Sequence, residues 1–467
     1  MQQPYQWLQR VAGVNEDTPY HSSLASETDC PGGVLNLGGL TVFRVEDGIL
    51  TFRFFVDGNS PYTAPHEALK ASRLVLHIPA RDFHYPAMVT GISGDATALT
   101  GFLPNETFGD NDAPLPGLTI WFIGIPERWY GTDNWVHYQV ISTEQTQVRE
   151  DDSLVIPGGR SSASGLSGFT LEAAGWTARL REIPNSRRAD PSITHVCDLT
   201  NKNAPLTGAL ARSFLDDNLF PFLDFVFGQN TRFHTIVGYK DGTDLWAMIS
   251  PDTRMPLKTR RDNWYLRTWY DPVELSPLFQ RFYDLAPDVK AHWKKVIYQY
   301  VTSEEIMGTL LESRLAASVS FAALDGLTRS VISTYPCKGA WLKDDLRLKS
   351  GKGIRAAITM VAKQEFGPHR ETFREASEQI SRVRNSTFHT DLSSDEDPTN
   401  AFYRWNASQA LVEILLLKQM GLNRIPNRTA HGKFNVLGKD MYQEMRKEEL
   451  DFGQRDDGNS HGKLNHD

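Results

Sequence analysis

Thr41-Val42-Phe43-Arg44-Val45-Glu46-Asp47-Gly48-Ile49-Leu50-Thr51-Phe52-Arg53-Phe54 decides how the first half of the chain reads. Two runs rich in β-branched and aromatic residues flank Asp47-Gly48, a pair that supplies the positive φ angles of a tight hairpin. The same texture continues over residues 34–200, where short apolar or alternating runs are separated by Gly, Asp and Pro. Further strands are predicted at 74–78, 118–123, 135–141, 169–172, 176–181 and 193–197. A sandwich or a curled antiparallel sheet accommodates them. Residues 206–227 interrupt the pattern with a dense apolar stretch, read as a helical insert that breaks or restarts near Pro221. A second hairpin, 234–239 with 244–250, turns through Asp241-Gly242, and the aromatic-rich stretch 264–270 extends the same sheet.

Beyond residue 275 the apolar period changes from two to about 3.6. Ile306, Leu310, Leu311, Leu315, Val319, Ala322 and Leu324 fall on one helical stripe. Thr302-Ser303-Glu304-Glu305 has the spacing of a capping box, which predicts a helix start at 303. Three more helices are expected at about 351–366, 369–387 and 398–420, the last with Asp397 as N-cap, Pro398 in its first turn and Gly421 just past its end. The fold class is therefore α+β: a β-rich, sandwich-like domain over 1–275, a four-helix-type bundle over 276–424, and a polar, partly ordered tail over 425–467.

The chain has 467 residues, enough for more than one domain at the usual size of roughly 100–200 residues each. A net charge of -8 argues against nonspecific coating of nucleic acid, but leaves room for one local basic groove. Cys30, Cys197 and Cys337 are far apart, so neither a disulfide framework nor a zinc site is encoded, and no metal or cofactor is expected. The N-terminus lacks the charge and apolar run of a signal peptide, which predicts a cytoplasmic protein.

Chemistry concentrates in Ser381-Arg382-Val383-Arg384-Asn385-Ser386-Thr387-Phe388-His389-Thr390. Phe373, Ala376, Ile380, Val383 and Thr387 keep helical spacing, leaving Arg384 near the edge of that stripe. Five residues turn an ideal helix by about 140°, so His389 must sit at or beyond the helix end if it is to meet Arg384. The polar run from Thr390 to Asp395 supports a loop there. An Arg and a His together suit cleavage of a phosphodiester, because a guanidinium grips two phosphate oxygens and an imidazole moves a proton near neutral pH. In RNA the ribose 2′-hydroxyl supplies the nucleophile and no metal is required, so the products are a 2′,3′-cyclic phosphate and a 5′-hydroxyl. Spacing alone is weak: Arg188–His195, Arg424–His431 and Arg455–His461 also place four to six residues between Arg and His. The blander reading pairs Arg384 with Asp391 and lets His389 cap the last helical carbonyls. Two other features have bland readings too. The Gly-rich stretch 157–165 lacks the ending of a phosphate loop, and His77, His84, His137, His195 and His234 lack partners at metal-ligand spacing.

Arg384-Asn385-Ser386-Thr387-Phe388-His389 resembles the signature of the HEPN superfamily of helical RNA-cutting domains. The β-rich half ahead of the bundle, together with Phe402-Tyr403-Arg404-Trp405 and the stretch ending Met420-Gly421-Leu422, is similar to the ApeA-type branch, whose members act in abortive defence against phage. The resemblance implies that Arg384 binds the scissile phosphate, His389 acts as general base or acid, and Asn385 orients one of them. Arg382 reads first as part of a solvated helix face, with a phosphate contact as its reserve role. The resemblance also implies a homodimer through the helical domain. The size and position of the β-rich domain suggest either a restraint on a toxic nuclease or a sensor of a phage-derived trigger. Which RNA is cut, whether transfer, ribosomal or messenger, is open. The competing reading is a non-catalytic HEPN-like module that binds RNA, nucleotide or a partner protein. A third is a carbohydrate-binding β domain carried on a helical oligomerisation bundle.

Overall fold

The computed structural model describes residues 11, 15–26, 35–46, 49–58, 64–71, 74–81, 83–93, 97–103, 107–125, 168–183, 193–240, 243–249, 275–307, 312–366, 398–422, 435–436 and 439–440. It divides into two compact units, Met1–Phe214 with Arg232–Pro256, and Leu215–Thr231 with Leu257–Asp467. The first is β-rich and the second helical, an α+β chain.

The opening hairpin is formed by β2 (Asn36–Glu46) and β3 (Ile49–Val56), which pair from Gly39↔Val56 to Glu46↔Ile49. With β1 (Tyr20–Ser26) they make one antiparallel meander. After a short helix α1 (Ala64–Lys70), the strands β4 (Leu74–Ile78), β5 (Phe83–Ile92) and β6 (Ala98–Phe102) make a second. Pairing of β3 with β6 and of β1 with β4 closes the six strands into a barrel, which leaves no free sheet edge. The curling expected from sequence thus runs to closure, through two pairings that join strands far apart in the chain. Leu24, Leu37, Phe43, Phe52, Phe54, Leu74 and Leu76 are all at most 3% exposed and fill the interior. So narrow a barrel needs glycine where backbone approaches ring. A Cβ on Gly101 would lie 2.7 Å from the Phe52 ring and against the Met88 carbonyl.

The remaining strands are β7 (Thr107–Gly109), β8 (Gly117–Ile123), β9 (Gly168–Ala173), β10 (Trp176–Glu182), β11 (Ile193–Asn201), β12 (Arg232–Lys240) and β13 (Thr243–Ile249). They form one antiparallel sheet in the order β7-β13-β12-β8-β11-β10-β9. Ala174 and Gly175, with φ 46° and 88°, make the β9–β10 turn with both central residues at positive φ, the geometry that matches strand twist. One face of the sheet packs on the barrel, where Trp121, Ile193, Val196, Val237 and Ile249 join the barrel core. The apolar segment after β11 is α2 (Gly208–Phe214), a π-helical turn over Leu215–Leu219, and α3 (Phe220–Phe227) with Pro221 in its first turn. The predicted segments 135–141 and 264–270 and the turn Asp241-Gly242 lie outside the described residues.

The helical unit comprises α4 (Leu275–Tyr283), α5 (Pro287–Ile306), α6 (Ser313–Ser333), α7 (Lys338–Trp341), α8 (Ile354–Phe366) and α9 (Pro398–Gln419). The helix start expected at 303 is not there. α5 begins sixteen residues earlier at Pro287, whose missing N–H and fixed φ suit a first turn. Ser303 and Glu304 are buried inside the helix, and the Ser303 hydroxyl donates to the Tyr300 carbonyl. α6 is the central helix and packs against α5, α8 and α9. It is long and apolar enough to cross a membrane by composition alone, yet 67% of that window is buried within the protein. α9 ends as the sequence predicts: Gly421 takes φ 84°, its N–H bonds the Lys418 carbonyl, and the Leu422 N–H bonds that of Leu417.

Candidate functional site

Arg382, Arg384, Asn385 and His389 lie within 367–397, outside the described residues. What is described is the frame on either side. α8 leads into this segment from Phe366, and α9 leaves it at Pro398. Ile354, Ala357, Ile358 and Val361 of α8 are buried, as are Ala401, Trp405, Ala407 and Leu411 of α9, because both helices lay an apolar stripe on α6.

A buried polar seam fixes α9 against α5. The Tyr300 hydroxyl donates to Glu413 Oε1 at 2.6 Å, with Tyr300 fully buried and Glu413 1% exposed. Gln409 Nε2 donates to the Tyr300 carbonyl at 3.0 Å and to the Ser303 hydroxyl, and the Trp405 indole N–H reaches the same hydroxyl at 3.3 Å. Polar groups this deep tolerate one arrangement, since any slip of α9 along α5 would leave donors and acceptors unpaired at about 1–3 kcal/mol each. The seam therefore sets the register from which the chain of 367–397 departs.

The helical unit also carries a cleft of about 810 Å³ along α5 and the π-helical turn, lined by Asp217, Asn218, Lys290, Lys294, Lys295 and Tyr298. Its cations are largely committed to the fold. Lys290 Nζ donates to Asn218 Oδ1 at 2.8 Å and to the Tyr283 carbonyl at 2.7 Å while lying over the Tyr283 ring. Burial lowers the Lys290 pKa, against the opposing pull of Asp217 and Asp284. Lys294 bonds Asp217 Oδ1 at 2.8 Å. Lys295 and Tyr298 are exposed on the wall of the cleft.

Of the histidines weighed as ligands, His195 and His234 are buried in the sheet with Nδ1 at 3.0 and 2.7 Å from the hydroxyls of Thr194 and Thr235. Among the described residues no group of three or more His, Cys, Asp or Glu side chains could hold a metal ion. The Gly-rich stretch 157–165 lies outside the described residues. A charge signal in the sequence that motif spacing does not register is the stretch between α7 and α8, where lysines and arginines crowd one exposed loop. No family model, curated protein or solved structure matches the chain.

Proposed function

We propose that the chain is a metal-independent endoribonuclease of the HEPN type, acting as a homodimer in abortive defence against phage. The observation that supports the reading is the place of Arg384-Asn385-Ser386-Thr387-Phe388-His389 in the chain. It falls between two helices that both pack on the central helix of the helical unit. In this reading Arg384 holds the scissile phosphate and neutralises the charge that develops on it, with Arg382 as a further phosphate contact. His389 removes the 2′-hydroxyl proton or protonates the 5′-oxygen leaving group, and Asn385 orients one of the two. The 2′-oxygen bonds to phosphorus as the bond to the 5′-oxygen breaks, leaving a cyclic phosphate and a 5′-hydroxyl. Positioned proton transfer contributes about 10²–10⁴-fold to such a reaction. The β-rich unit, in the same reading, senses a phage-derived trigger.

The test is cleavage of total cellular RNA by wild type, Arg384→Ala and His389→Ala proteins in the presence of a chelator, with product ends analysed. Wild type should leave cyclic phosphate ends, and each variant should fall by about 10²-fold or more. Variants that cut as well as wild type would remove these residues from the site. RNA binding without any product would favour the non-catalytic module.

A further inference from the structure

Between Lys338 and Arg355 the sequence carries Lys338, Lys343, Arg347, Lys349, Lys352 and Arg355 against Asp344 and Asp345. In a chain whose net charge is -8 this is a local excess of positive charge, and it sits on an ordered loop. Leu342 and Leu348 form an antiparallel bridge. The Lys343 N–H bonds the Arg347 carbonyl at 2.8 Å, and the Lys349 N–H bonds that of Trp341 at 2.9 Å. Lys349 Nζ is tied to the Gly339 carbonyl. Lys352 Nζ lies 4.7 Å from the centre of the Trp341 ring, a cation–π contact that orders an otherwise mobile side chain. Arg347 pairs with Asp345 and pulls the Asp345 carboxyl below its usual range by hydrogen bonding.

Lys338, Lys343, Lys349, Lys352 and Arg355 are nevertheless all exposed. Among the described residues neither Lys338 nor Lys352 has a carboxylate partner. An ordered backbone thus holds six cations against the two carboxylates of Asp344 and Asp345, an excess of positive charge kept in water at the cost of mutual repulsion. Gly339, Gly351 and Gly353 have open space where a side chain would be, so a ligand backbone can approach closely. The loop runs directly into α8, a helix of the same unit whose sequence carries the 384–389 motif.

We propose that the loop 338–355 is a phosphate-backbone docking site for the single-stranded RNA substrate. The proposal rests on the ribonuclease reading. An anionic membrane is the less favoured occupant, because a surface-bound element needs an apolar wedge as well as positive charge. Here Leu342 is buried and Trp341 carries Lys352 on its face.

The experiment compares full-length His389→Ala protein with the same protein carrying Lys338→Gln, Lys343→Gln and Lys352→Gln. Fluorescence anisotropy reads binding of a labelled single-stranded 20-mer RNA from 50 to 200 mM salt. The triple change should weaken binding by about 10-fold or more at 50 mM. It should also lower the slope of log affinity against log salt by about 2, the counterions released by three contacts on a single strand. Circular dichroism confirms that the variant is folded. Unchanged affinity and slope would overturn the proposal while leaving the nuclease reading intact. So would binding of phosphatidylserine vesicles that the triple change abolishes while RNA affinity stays the same. If the loop controls RNA affinity but the protein with His389 restored cuts nothing even when extract of phage-infected cells is added, the docking site stands and the nuclease reading falls.

Discussion

Tyr335 shows how a single side chain reports its surroundings. It follows α6, and its hydroxyl donates to Glu365 Oε1 on α8. Burial first, and then the hydrogen bond and the negative charge of Glu365, push its ionisation above the ordinary tyrosine range. Tyr239 is raised as well, by burial and by Asp198. The sign follows from proton counting. An unfolded tyrosine loses its proton near pH 10, whereas the folded one keeps it, so between these limits the native state binds more protons and stability falls as pH rises. Nothing is lost below about pH 9. Urea unfolding at pH 8 and at pH 10.5 should show a drop that is smaller in Tyr335→Phe than in wild type. For a partly buried phenol still screened by solvent the loss is no more than about 0.5 kcal/mol per pH unit. Equal drops in the two proteins would mean that the phenol titrates normally in the folded state.

At the scale of elements, the barrel is held by glycines as much as by its apolar core. Gly101 on β6 faces the Phe52 ring across the β3–β6 pairing that closes the barrel. Gly101→Ala adds a methyl group where backbone and ring already touch, and overpacking of this kind costs about 1–3 kcal/mol. The expected result is a lower thermal midpoint for the β-rich unit with the helical signal little changed; an unaltered melt would show that the barrel can expand locally. The same strands show what a sequence makes legible. The β2–β3 hairpin could be read because Asp47-Gly48 is a local turn signal, and β4, β8, β10 and β12 because their own residues alternate or run apolar. β1 and the β1–β4 closure could not, since a pairing between Leu24 and Leu76 depends on residues 52 apart and leaves no mark in either strand alone. The capping-box reading failed for a related reason. Thr302-Ser303-Glu304-Glu305 has the right local spacing, but the helix runs continuously through it, with Glu304 buried and Ser303 buried against Trp405 of α9. The Arg384–His389 motif was legible from residue order and flanking helix pattern, whereas the basic loop needed the fold to show that its lysines are held on an ordered, exposed turn.

On the scale of the whole chain, the helical unit is not one continuous stretch. Leu215–Thr231 belongs with Leu257–Asp467, although strands of the β-rich unit separate them in sequence. The contacts explain why. Phe222 packs on Phe279 and Phe282 at ring distances of 5.1 and 6.0 Å, and Phe225 meets Tyr300 at 6.1 Å. Asn218 accepts from Lys290, and Asn230 Nδ2 donates to Glu305 at 2.7 Å. A fragment beginning at residue 276 loses all of these at once. It would expose Phe279, Phe282 and Tyr300, now at most 1% exposed, and burial of each such ring contributes about 1.5–3 kcal/mol. Together that approaches the about 5–15 kcal/mol that separates a folded domain from its unfolded chain. Fragment 276–467 should therefore unfold without a cooperative transition and bind a dye for exposed apolar surface, as followed by circular dichroism and dye fluorescence. A sharp melt and no dye binding would show that α4 to α9 suffice as a core. The outcome bears on regulation too. If the proposed RNA cleavage is lost on cutting away the first 275 residues, that would report a broken helical core, and only a variant that keeps 215–231 can reveal whether the β-rich unit restrains the proposed nuclease.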